Sequence, residues 1–124
     1  MDLNTWLLSA KKNANAKDCG MYLIHNGVVR DSSRKEVREG IATDKVKAMK
    51  FSYDKDTLNR IIEEAKKEIG IKYVDAYLNE GVLNVGDDLM YVLVGGDTRE
   101  HVLDTMNKTL TKIKTICVKE EELF

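Results

Sequence analysis

Apolar positions along this 124-residue chain recur with two different periods, and the periods divide it into elements. Between Asp54 and Ile69, Leu58, Ile61, Ile62, Ala65 and Ile69 follow one another at helical spacing, which lines one face of an α-helix. Asp54 or Asp56 can cap that helix, and Gly70 ends it. A last long helix is expected after Asp97 or Thr98, either of which can cap it, with Val102, Met106, Leu110 and Ile113 as its core stripe. The segment from Asn4 to about Asn15 reads as a short helix, capped by Asn4 or Thr5. Trp6, Leu7 and Ala10 give it a partial apolar face.

The remaining apolar runs are strand-like. Gly20 to Arg30 carries Met21, Leu23 and Ile24, then Gly27-Val28-Val29. Val46 to Tyr53 alternates, with lysines between Val46, Ala48, Phe51 and Tyr53. Ile71 to Leu78 and Val82 to Val94 read as strands joined by the turn Asn79-Glu80-Gly81, and Gly86-Asp87-Asp88 interrupts the second with a turn or bulge. Ile116 to Glu121 is expected to be a final strand. Asp31 to Gly40 holds two arginines, a lysine and three acids with almost no apolar residue, and is expected to be an exposed loop. Proline is absent, so Gly, Asn and Asp must make the turns. The order, helices mixed with strands, implies an α+β sandwich, and the length fits one domain over residues 1–124.

Composition narrows the function classes. A formal net charge of −1 gives no global attraction to nucleic acid, so any anion site must be local. No apolar run approaches the roughly 20 residues that span a bilayer, and the first residues lack a basic region ahead of an apolar stretch. Cys19 and Cys117 form neither a metal spacing nor a disulfide framework, so two reduced thiols in a cytoplasmic protein are expected. No metal cluster and no Ser/His/Asp set is present. Gly95-Gly96 before the last helix lacks the spacing of a nucleotide-binding loop. His25 and His101 have no partner at catalytic spacing and read as structural. Lys112, Lys114 and Lys119 cluster near the C-terminus. A helix end folding into a strand could bring Lys112 and Lys119 to one pocket, where neighbouring ammonium groups bind an anion and depress each other's pKa. Arg30, at a strand end, suits a phosphate. By spacing alone, each of these cations reads more readily as a solvated surface residue.

Three segments occur together in one order: His25-Asn26-Gly27-Val28-Val29-Arg30, then Glu80-Gly81-Val82-Leu83-Asn84-Val85-Gly86-Asp87, then Lys112-Ile113-Lys114-Thr115-Ile116-Cys117-Val118-Lys119-Glu120-Glu121. They resemble the G-x-V-R strand end, the I-G-x-L-x-x-G-[DE] turn and the K-x₆-K-x-E helix-to-strand pattern of the large, catalytic subunit of molybdopterin synthase (MoaE-type). The resemblance covers about Gly20 to Glu121 and is divergent. It implies an α/β-hammerhead-like α+β domain, with a mostly antiparallel sheet packed by helices. The activity implied is molybdenum cofactor biosynthesis. Sulfur passes from the Gly-Gly thiocarboxylate of a small ubiquitin-like subunit to cyclic pyranopterin monophosphate, giving molybdopterin. By the same resemblance Lys112 and Lys119 are the catalytic pocket lysines, Glu121 is their neighbouring acid, and Arg30 is a ligand of the substrate phosphate. No metal and no resident cofactor is implied, and a homodimer of large subunits is.

The chain departs from the family pattern at several positions. Gly96 and Asp97 stand where the family has a His-Arg pair, and Leu78 and Asn79 where a histidine and an arginine precede the glycine turn. Ile116 and Val118 replace the usual proline and tryptophan. These departures keep open an alternative: a non-catalytic module of the same fold that docks a Gly-Gly tail or only dimerises.

Overall fold

The computed structural model describes all residues 1–124. In chain order the elements are α1 (Leu3–Lys11), β1 (Met21–Val28), α2 (Arg34–Glu39), β2 (Ala48–Tyr53), α3 (Lys55–Lys66), β3 (Ile71–Leu78), β4 (Gly81–Asn84), β5 (Asp88–Gly96), α4 (Arg99–Lys112) and β6 (Val118–Leu123), with a 3₁₀ turn at Ala16–Asp18 and a π-helical turn at Ile113–Cys117. The fold is α+β. Its strands form two antiparallel three-stranded sheets, in the orders β1-β5-β3 and β4-β2-β6.

β5 is the centre of the first sheet, pairing with β1 on one side and β3 on the other. Its run Leu89–Val94 is buried throughout, because both faces of the strand are covered. Met90, Val92 and Val94 join the main core cluster with Leu58 and Ile61 of α3, and Val102 and Met106 of α4. On the opposite face, Trp6 of α1 packs edge-on against Tyr91, with ring centroids 6.3 Å apart, and its indole N–H donates to Asp75 Oδ2 at 2.8 Å. A strand buried on both faces shows a continuous apolar run rather than alternation.

Local sequence explains the helix limits. Asp54 caps α3, its carboxylate accepting from the Asp56 and Thr57 amides. Asp2, rather than Asn4 or Thr5, caps α1 in the same way. α3 ends sooner than its apolar spacing predicts: Ile69 lies beyond it and is 79% exposed. The reason is Gly70, whose φ of +77° turns the chain into β3. A Cβ there would also collide with the Asp97 carboxylate and the His101 ring, so glycine alone fits this approach.

The charged stretch 31–40, expected to be a loop, contains α2. Ser33 caps it by accepting from the Glu36 amide at 3.1 Å, and Gly40 closes it with φ +68°. None of its six residues is buried, so it left no apolar stripe to read. The run Val82 to Val94 is divided at the expected interruption into two strands, because Gly86, at φ +90°, turns the chain between β4 and β5. The final strand starts at Val118, two residues later than expected, because the π turn occupies Ile113–Cys117.

Candidate functional site

A cavity of about 420 Å³ opens where the two sheets meet. Its walls come from the end of β1, the start of α2, β2, the start of β5, the π turn and β6. At the β1 end the register with β5 slips between Gly27 and Val28, and such bulges re-aim the chain beside functional sites. Arg30 follows immediately and lines the cavity with His25, Arg34 and Lys114, opposed by Glu120 and Glu122.

The electrostatics of this cavity are ordered by β6. Alternation along the strand turns Glu120 and Glu122 to the cavity side. Glu120, whose side chain is 12% exposed, receives Arg34 Nη2 at 2.9 Å on one oxygen and Lys114 Nζ at 2.8 Å on the other. Glu122 accepts from the Arg34 backbone amide at 3.0 Å. Three cations thus face two carboxylates. Arg30 makes no ion pair; its Nε donates to Ser32 O at 3.0 Å, which orients the guanidinium. Burial, and secondarily the charge of Lys114, lower the pKa of His25 and favour its neutral form. An anion entering this cavity meets an unpaired, oriented guanidinium and two cations held by one acid.

The other residues expected at the site lie elsewhere. Lys119 and Glu121 project from the opposite face of β6. There they line a shallow hollow with Lys50 and Ser52, their cross-strand neighbours on β2. Lys112, 43% exposed, reaches to α3 and pairs with Glu64 Oε2 at 3.1 Å. It lines neither the Arg30 cavity nor the Lys119 hollow. The structure therefore does not gather Lys112, Lys119 and Arg30 into one cavity. His101, expected to be structural, lies at the surface on α4 with Nδ1 2.7 Å from Asp97 Oδ1. That contact, and the Thr98 amide behind it, hold the Asp97 carboxyl below its usual pKa. His25 instead borders the cavity.

Arg34, Lys114, Glu120 and Glu122 were not singled out as a site by spacing. Part of the signal was present: residues two apart on a helix point about 200° apart, so Lys114 must face away from Lys112, and strand alternation separates Glu120 and Glu122 from Lys119 and Glu121.

The family model described as MoaE protein matches residues 3–116, nearly the whole chain. The chain belongs to the MoaE family. That places it in molybdenum cofactor biosynthesis, with the large subunits of molybdopterin synthase. Solved structures of the same fold include a molybdopterin synthase from Staphylococcus aureus, with TM-score 0.76 and 16% identity over 100% of this chain and 85% of that one. Another is a molybdopterin biosynthesis MoaE protein from Burkholderia ambifaria MC40-6, with TM-score 0.73 and 20% identity over 99% and 82%. A third is a complex of subunits 1 and 2 of molybdopterin-converting factor from Helicobacter pylori 26695, with TM-score 0.69 and 16% identity over 98% and 78%. No curated protein matches the sequence. At these identities the structures attest the fold. No helix is long and apolar enough to cross a membrane.

Proposed function

We propose that residues 1–124 act as one catalytic unit that transfers sulfur from the thiocarboxylated Gly-Gly tail of a small ubiquitin-like subunit to cyclic pyranopterin monophosphate. The observation that carries this reading is the cavity at the end of the G-x-V-R strand. Arg30 is oriented but unpaired there, and the volume of about 420 Å³ lies within the range of small-molecule sites. Val28, Met49, Leu89 and Met90 supply apolar wall for a flat ring, and Arg30 supplies a fork for its phosphate. Lys112 and Lys119 keep the K-x₆-K spacing and take the catalytic roles, with Glu121 beside Lys119. The Lys112–Glu64 pair does not oppose this role. An exposed pair contributes about 0–1 kcal/mol, so an arriving thiocarboxylate can draw the ammonium away.

In this reading the chain works in the cytoplasm as a homodimer and needs no resident cofactor. The Helicobacter pylori complex of two subunits supports a small-subunit partner. The test is incubation of the purified chain with a thiocarboxylated small subunit and cyclic pyranopterin monophosphate, followed by assay for molybdopterin. Molybdopterin formation is expected; none with a competent partner overturns the catalytic reading.

The second reading, a docking module without turnover, is favoured by one observation. Asp97, at a position where the family has a cation, is an acid tied to His101 and the Thr98 amide. It supplies no positive charge to a substrate.

A further inference from the structure

The K-x₆-K-x-E motif leaves Lys114 unassigned, yet Lys114 is the lysine that shares a cavity with Arg30. Its direction follows from the backbone. α4 continues through Lys112 with its ammonium toward α3, and two residues on, about 200° around the axis, the side chain points to β6. The chain then widens into the π turn of Ile113–Cys117, a device common at functional sites. The far end of that turn is anchored: the Asp54 amide donates to Cys117 O at 3.0 Å, and Ile113 within it is fully buried. Lys114 therefore projects from a fixed platform.

Its ammonium is held as well as aimed. One Glu120 carboxylate bridges Lys114 and Arg34, so a single negative charge is divided between two cations. Glu122 is engaged with the Arg34 amide rather than with an ammonium. Beside them the guanidinium of Arg30 has no acidic partner. The arrangement leaves positive charge uncompensated on the wall that Lys114 and Arg30 share, and gives each cation a fixed direction. It is what a doubly charged oxyanion requires and what a neutral ligand does not.

We propose that Lys114 is a substrate-binding residue of this cavity, holding with Arg30 the phosphate of a small phosphate monoester, and that Glu120 is the positioning residue that aims its ammonium. The inference rests on reading the Arg30 cavity as the substrate site, but it concerns binding and not turnover.

The test is calorimetric titration of the full chain with a pterin monophosphate and with the same pterin lacking phosphate. Wild type should prefer the monophosphate. Lys114→Gln should weaken monophosphate binding at least about tenfold, the scale of one charge-assisted contact, without changing affinity for the phosphate-free pterin. Lys114→Arg should largely restore it. Lys108→Gln, on α4 and paired with Asp104, should bind as wild type. Glu120→Gln should weaken the same preference by loosening the lysine. A second readout needs no ligand: the imidazole of His25, followed by NMR, should titrate at higher pH in Lys114→Gln, since that ammonium helps to hold it down. Wild type without preference for the monophosphate, or Lys114→Gln with wild-type affinity, would overturn the proposal. Failure here is distinguishable from failure of the catalytic reading. A chain that binds the monophosphate through Lys114 yet never transfers sulfur contradicts only the latter. A chain that transfers sulfur with Lys114 dispensable for binding contradicts only the former.

Discussion

Lys119 is exposed and Lys112 half-exposed, and neither carries much of the fold. The Lys112–Glu64 pair is a surface pair, so Lys112→Ala should keep the melting temperature within a few degrees. Sulfur transfer should fall about a hundredfold or more, because losing about 2.7 kcal/mol of transition-state stabilisation has that effect. Lys112→Arg should not rescue it, since a guanidinium stays protonated and cannot shuttle a proton. Lys119→Ala should be less severe, and Arg30→Ala should mainly weaken pterin binding. Single-turnover conversion with wild type as control measures all four; an unimpaired Lys112→Ala would discard that assignment. At this scale the sequence showed residue types and spacing but not direction. Arg30 was singled out from sequence because a strand end after an apolar run has one exposed outlet. Lys114 was not, because whether α4 continues, stops or widens after Lys112 depends on how Cys117 meets α3, a contact between residues far apart in the chain.

At the scale of elements, caps decide where helices begin, and two kinds of cap can be tested. Ser33 is 1% exposed, and its hydroxyl also lies 2.6 Å from Thr43 Oγ1. Ser33→Ala should cost about 1 kcal/mol and loosen α2, which carries Arg34 to the cavity. The readout is a lower denaturation midpoint together with faster amide exchange at Glu36. Asp54 caps α3 with its pKa held below the ordinary 3.8, chiefly by the Thr57 hydroxyl and then by the Thr57 amide. A depressed carboxyl contributes stability above its unfolded pKa and loses it as pH falls through the folded value. Asp2, Asp88 and Asp97 are depressed likewise. The melting temperature should therefore drop as pH falls below about 4. Asp54→Ala should be less stable than wild type at pH 7, and the gap should narrow in acid; a gap independent of pH would mean that the carboxylate charge is irrelevant to the cap. Asp54 was legible from sequence as a cap candidate. α2 could have been found from Ser33-x-x-Glu36 followed by Gly40, a capping sequence with a left-handed stop. Its lack of an apolar face hid it.

For the whole molecule, the α+β class followed from element order, whereas the division into two sheets did not. That division rests on long-range pairing such as Ala48 with Leu123, which no local pattern encodes. The resulting surface leaves Tyr77, Val82 and Val85 exposed at 48%, 63% and 44% around β3 and β4. Exposed apolar side chains such as these can face a second copy, and sedimentation should find a homodimer at micromolar concentration. A monomer at and above that concentration would remove this part of the proposal. The partner's engagement is separable from dimerisation. If the carrier's Gly-Gly tail must enter a site on this chain, most of the productive affinity depends on two residues of the partner rather than on its globular body. Deleting those glycines should abolish turnover and weaken binding, while leaving the homodimer intact. A truncated carrier that binds as tightly as the full one would show that the globular surfaces alone make the complex. A truncated carrier that also supports turnover would exclude a tail thiocarboxylate as the sulfur donor. Running both measurements on the same dimer separates the docking step from the chemistry, which is the distinction that the acid at Asp97 makes necessary.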